Sequence, residues 1–274
     1  MNTKKIAMLA VAAGSLWSLD ASAQFSYSPG DLLLGFRSMT SGSDVVVDIG
    51  SSSTYINAST AFTVSSFTAG QLTGTFGSLN NLYFSVFGDV NGFNQASSGL
   101  PLNTLWLTAA RSDVNTQTTA FNSLSSTSQG NVRSQLDSIA NGAQATTLGA
   151  VALSSTVAVE PGSMNSSGNL SYALGIQNPL NPSISGNVNR TWSRYPVEAI
   201  TSATFGTDTT PAVLDLYQQN PGTANSGQFL GSFSLANNGT MTFTPAAVPE
   251  PGTFAMFGAG LVALGAVRRF RRNK

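Results

Sequence analysis

The sequence predicts a mostly β fold. It reads as an antiparallel β-sandwich-like or α+β single domain with a helical insertion, flanked by an N-terminal signal helix and a C-terminal transmembrane helix. Three observations predict this. Short apolar and β-branched runs are separated by Gly, Ser, Asn and Pro. One stretch shows helical spacing. No short-period repeat is present, which argues against a solenoid.

The elements follow in order. Lys4 and Lys5 precede a mostly apolar run from Ile6 to Leu19, and Ala21-Ser22-Ala23 follows. That order is a secretory signal peptide over residues 1–23, cleaved after Ala23 so that Gln24 begins the mature chain. An exported domain then spans 24–247. Ser28-Pro29-Gly30 is a turn that leads into Asp31–Arg37, and Asp44–Gly50 is a β-branched run. Phe62–Ser65, Asn81–Phe87 and Asn103–Thr108 read as further strands. Phe121, Leu124, Val132, Leu136, Ile139 and Ala143 recur at helical spacing, which predicts one broken helix or two short ones over about 117–143. Ser171–Ile176 reads as a strand, residues 178–190 as a Pro-bearing loop, and Thr210–Gln219 as strand or helix. Gln228–Leu235 and Gly239–Thr244 alternate, and Asn237-Asn238-Gly239 joins them as a hairpin.

Composition narrows the chemistry. The chain has 274 residues, 41% hydrophobic and only 9% charged, with no His and no Cys. Disulfides, thiolate chemistry and Cys-ligated zinc are excluded. The usual general base and commonest metal ligand are missing too. The formal net charge of zero conceals a division, since residues 24–247 hold five arginines against ten carboxylates and carry −5. There is no Lys between Lys5 and Lys274. Such a body has no electrostatic reason to seek nucleic acid.

The C-terminal end has three parts. Val248-Pro249-Glu250-Pro251 is extended, because proline fixes its own φ and biases the residue before it. Residues 252–267 carry no charge and predict a transmembrane segment. Arg268, Arg269, Arg271 and Arg272 then form a basic tail that belongs on the cytoplasmic side. Taken together, residues 248–274 resemble the PEP-CTERM sorting signal of Gram-negative bacteria. The resemblance implies processing near Pro249-Glu250-Pro251 by a membrane enzyme, exosortase, with signal peptidase acting at the other end. It also implies an inner-membrane-anchored precursor facing the periplasm, and delivery to the cell surface or to an exopolysaccharide-rich biofilm matrix. The body is similar to the main domain of uncharacterised PEP-CTERM proteins over Pro29–Arg37, Trp192–Pro196 and Phe229–Pro245. That likeness implies no activity.

Candidate site residues in the body are few. Trp192 and Tyr195, flanked by Arg190 and Arg194, offer ring faces and guanidinium donors to a glycan. Trp106 and Tyr217 are further aromatic candidates. Glu160 and Glu198 are the only glutamates of the body and the best residues for an acid–base pair of the glycosidase kind. A Ser nucleophile lacks a His or Lys partner. Asp89–Asn94 has alternate oxygen ligands of the calcium-loop type but no closing Glu, so it reads as a turn. No catalytic residue, cofactor or metal is expected. The sequence therefore points to an exported, surface- or matrix-associated structural or binding protein that contacts exopolysaccharide. Its alternatives are a secreted carbohydrate-active enzyme using Asp or Glu, and a self-associating surface protein.

Overall fold

The structure is a computed structural model that describes residues 24–121, 125–177, 197–222 and 227–247. Its strands are β1 (Asp31–Ser38), β2 (Ser43–Ser51), β3 (Phe62–Val64), β4 (Leu82–Asp89), β5 (Leu105–Ala110), β6 (Val151–Ala152) and β7 (Val157–Pro161). They continue with β8 (Asn165–Ser166), β9 (Asn169–Leu170), β10 (Ala199–Ile200), β11 (Ala212–Gln219), β12 (Gln228–Leu235) and β13 (Met241–Pro245). The helices are α1 (Ser52–Ile56), α2 (Ala69–Phe76), α3 (Gln95–Ser98), α4 (Ser126–Gln144) and α5 (Tyr172–Gln177). Eleven strands make one antiparallel sheet in the order β3-β13-β12-β11-β5-β4-β1-β2-β7-β6, with β10 also on β4.

The expected sandwich needs correction. A single sheet curls into a half-barrel and builds a core on each of its faces, giving a mixed α+β fold. The reason lies in the strands themselves. β1 and β2 are buried on both faces along six consecutive residues each, as is β4 over most of its length, a pattern that calls for cover on both sides. Leu32, Leu34, Phe36, Val45, Val47, Phe84 and Val86 point into the concave core. There α1 bridges the curl by touching β2 on one side and β12 and β13 on the other. Its Tyr55 ring lies 5.4 Å from Phe233 and 5.1 Å from Phe243, and its hydroxyl donates to the Ile49 carbonyl at 2.8 Å.

Leu33, Val46, Phe87, Leu105 and Leu107 point to the convex face, where α4 covers them with Val132, Leu136, Ile139 and Ala143. Helical spacing from 117 onward becomes helix only from Ser126. The Ser125 side chain caps it by accepting from the Ser128 N–H. Residues 117–120 are instead non-helical: the Thr118 N–H and hydroxyl both donate to Asp215 Oδ2, at 2.7 and 3.0 Å. Ser171–Ile176 departs from its strand reading as well, and Tyr172–Gln177 is helix. The β12–β13 hairpin closes through Ala236 N–H to Thr240 O at 2.8 Å, with Gly239 at φ +81°.

Among the described residues no helix is long and apolar enough to cross a membrane. The longest, α4, has 19 residues and carries Gln129, Arg133, Gln135 and Asp137 along it. The expectations of a signal helix, a transmembrane helix and an inner-membrane-anchored precursor therefore find no such helix behind them. Residues 1–23 and 252–267, where those helices were expected, lie outside the described residues.

Candidate functional site

Polar side chains collect on the convex face of the sheet, under α5. Asp44 on β2 and Glu160 on β7 are direct partners across the two strands. Each accepts a backbone N–H from the first turn of α5: Tyr172 N–H to Glu160 Oε1 at 2.6 Å and Ala173 N–H to Asp44 Oδ2 at 2.7 Å. Ser171 closes the cap, donating to the Gly162 carbonyl at 2.8 Å and accepting from the Leu174 N–H at 3.3 Å. A sequence of strand type is thus turned into helix by acceptors that lie more than ten residues away.

Neighbouring buried carboxyls resist ionisation together. Burial pushes the Asp44 carboxyl up to about 7, against the pull of its bond from Ala173 and the charge of Arg37. Glu160 is held well above the usual carboxylate range, first by burial and then by the charge of Asp44. Its Oε2 has no hydrogen-bond partner.

Glu198 precedes β10 and meets Arg37 of β1 in a two-pronged ion pair, Nε to Oε1 and Nη2 to Oε2, both at 2.8 Å. The guanidinium also lies 4.1 Å from the centroid of the Tyr83 ring. Tyr172 stands between the two glutamates. Its N–H faces Glu160, and its phenol end lies beside Glu198 and shares a 2.8 Å bond with Ser85 Oγ. Glu160 and Glu198 therefore do not face each other across an open cleft. One holds a helix and the other holds an arginine.

Beside this layer the sheet splits. β4 pairs with β5 only at Phe87–Asp89, and β10 takes its place along Tyr83 and Phe84. The Thr108 hydroxyl marks the fork: it accepts from the Val86 N–H at 3.0 Å and donates to the carbonyls of Val86 and Val197. Past the fork opens a hollow of about 710 Å³, whose lining includes Tyr83, Arg111, Ser112, Gln117, Ser202 and Thr210. That volume lies in the usual range of small-ligand sites.

One wall of the hollow is fixed by Asp215. Its carboxylate takes Arg111 Nε at 2.8 Å, Ser232 Oγ at 2.9 Å and the two Thr118 donors. Arg111 in turn donates to the Val114 carbonyl at 2.7 Å and to Ser232 Oγ at 2.8 Å. Beside an apolar wall that includes Ile200, Phe205 and Val213, the lining offers hydroxyl, amide and guanidinium groups and the carboxyls of Glu198 and Asp208. Such groups bind polyhydroxylated ligands by hydrogen bonding.

The sequence-derived candidates divide sharply. Pro249, Glu250 and Pro251, the arginines 268, 269, 271 and 272, and the cleavage-site residues Ala21 and Ala23 lie outside the described residues, while Gln24 is described and exposed. Arg190, Trp192, Arg194 and Tyr195 lie outside them too. Trp106 and Tyr217 are core residues, each 1% exposed. Asp89–Asn94 forms a turn closed by side-chain bonds, and among the described residues no group of three or more acidic side chains is placed to hold a metal ion. Tyr83, Arg111 and Asp215 escaped the sequence reading. Arg111 and Asp215 stand 104 positions apart, and only the pairing of β5 with β11 joins them.

Comparison with known proteins informs the C-terminal end. No curated protein matches the chain, and no solved structure matches it. The family model for the PEP-CTERM protein-sorting motif matches residues 247–272. The chain therefore carries a PEP-CTERM sorting motif near its C-terminus, consistent with export and sorting through that end.

Proposed function

We propose that the chain is an exported, surface- or matrix-associated binding protein that contacts exopolysaccharide without breaking it. The observation that carries this reading is the PEP-CTERM motif at 247–272, which directs attention to the extracellular matrix as the place of work. An exosortase-type enzyme acting near Pro249-Glu250-Pro251 is its processing partner. The hollow beside β10 supports the ligand class, since the hydroxyls and the Gln117 amide set among its apolar residues suit a sugar's hydroxyls and C–H faces. The engagement of both glutamates supports a non-catalytic role: glycoside hydrolysis needs two carboxyls facing the scissile bond.

The test is retention of the exported protein on purified exopolysaccharide, with polymer length followed in parallel. Co-sedimentation with unchanged chain length is the expected result. Shortening of the polymer, abolished by a Glu198→Gln variant whose unfolding curve shows that it is still folded, would establish the hydrolase reading instead. Absence of retention would remove the binding role.

A further inference from the structure

A second hollow, of about 410 Å³, opens where β4 ends and α4 passes over it. Tyr83 near the start of β4 lines the first hollow and Asn91 just past its end lines this one, so the two lie toward opposite ends of the strand. Its lining includes Tyr27, Asn91, Phe93, Arg133, Asp137 and Gln144.

Phe93 is 91% exposed. A phenyl ring left in water forgoes roughly 2 kcal/mol of burial. The loop nevertheless holds this ring outward on a braced frame. Asn91 N–H donates to Asn94 Oδ1 at 2.8 Å, Phe93 N–H to Asn91 Oδ1 at 3.0 Å, and Asn94 Nδ2 to the Asp89 carbonyl at 3.0 Å. The backbone that carries the ring is therefore already ordered for a ligand.

The polar half of the hollow comes from Asn91 and from Arg133 and Asp137 of α4. Asn91 Nδ2 donates to Asp137 Oδ1 at 3.0 Å, and Arg133 Nε stands 3.7 Å from Asp137 Oδ2, one helical turn away. That Nε has no hydrogen-bond partner. Asp89 lies behind, within electrostatic reach of Tyr27, Arg133 and Asp137, and its buried Oδ1 is also unpartnered. Burial, with the charge of Asp137, holds the Asp89 carboxyl well above its ordinary range.

An outward aromatic ring beside planar carboxamide, carboxylate and guanidinium groups suits a sugar. A pyranose has a C–H face for the ring and a rim of hydroxyls for the planar groups. Arg133 is matched by Asp137, and Asp31, Asp48 and Asp89 also act on Tyr27 of the lining, so nothing here draws an acidic ligand. We propose that this hollow, with Phe93 as its platform and Asn91, Arg133 and Asp137 as its polar rim, binds a neutral pyranose unit of a polysaccharide. The source of the sugar, though not the chemistry of the hollow, rests on the matrix-contact reading.

The test uses the exported full chain and isothermal titration with cellohexaose, mannohexaose and hexagalacturonate. At least one neutral hexasaccharide binds, hexagalacturonate binds more weakly, and Phe93→Ala lowers the neutral affinity at least tenfold. Phe93→Trp retains binding. An unchanged urea midpoint for Phe93→Ala shows that the fold is intact. The proposal is overturned if Phe93→Ala binds as well as the parent, if hexagalacturonate is preferred, or if neither neutral hexasaccharide binds. Retention on whole exopolysaccharide that persists in Phe93→Ala, with hexasaccharide affinity also unchanged, removes this hollow and leaves the matrix-contact reading standing. A parent that binds hexasaccharide but is not retained on exopolysaccharide does the reverse.

Discussion

Tyr172 lies flat on Gly35: a Cβ built on Gly35 would come within 2.1 Å of Tyr172 Cδ2. This contact joins α5 to the centre of the sheet, because the same ring stacks on Phe87 with centroids 5.9 Å apart. Glycine is required for space here, since its φ is unexceptional. Gly35→Ala forces the ring or the strand to move, at a cost of about 3 kcal/mol. Urea unfolding measures it. Tyr172→Ala is itself costly, because the ring is fully buried, but the two should be less than additive: Gly35→Ala should cost far less in a Tyr172→Ala background, where the clash is absent, than in the parent.

The Arg37–Glu198 pair is buried on both sides, with side-chain exposures of 8% and 1%. Removing one partner strands the other charge, so Arg37→Met should destabilise the fold by about 3–5 kcal/mol. Arg37→Lys keeps the charge but loses the fork and the stacking on Tyr83, and falls between parent and Arg37→Met. Thermal unfolding of the three proteins checks the order.

Stability should fall as the solution becomes less acidic. Burial raises Asp44 to about 7, and burial with the nearby charge of Asp31 raises Asp48 to about 7 as well. Unfolded carboxyls titrate near ~4. Between those values the native chain holds more protons than the unfolded chain. The stabilisation is complete below about pH 4 and is lost as pH rises through 7. The urea midpoint should therefore be higher at pH 5 than at pH 8. Asp44→Asn keeps an acceptor for the Ala173 N–H and flattens the profile. A midpoint that rises over this interval contradicts the assignment.

Tyr55 tests the concave core. Its ring touches Phe62, Phe233 and Phe243, while its hydroxyl donates to the Ile49 carbonyl. Tyr55→Phe should cost about 1 kcal/mol, the worth of one hydrogen bond. Tyr55→Ala should cost roughly 3–5 kcal/mol through the cavity it leaves.

Much of the strand content could be read from local pattern. Val45, Val46 and Val47 mark a strand, and Asn237-Asn238-Gly239 marks a turn, by chemistry contained in a few residues. What local pattern does not hold is the partner of each face. Leu33 and Leu34 are equally apolar, yet one meets the α4 side and the other the concave core. A sandwich and a curled sheet covered on both faces therefore look alike at that level. The helix at Tyr172 depends on Asp44 and Glu160, and the non-helical segment at Thr118 depends on Asp215, so neither could be read locally. The site was less legible still. Its wall needs Arg111 beside Asp215, whereas the sorting motif was legible in full because it is recognised as a linear segment.

The central claim is that the C-terminal motif delivers this body to the matrix. The most direct measurement is the amount of the chain recovered from the extracellular matrix fraction of cells producing either the parent or Pro249→Ala/Glu250→Ala/Pro251→Ala. The account predicts recovery of the parent in that fraction and near-complete loss for the triple variant. Equal recovery of both in the matrix would contradict it.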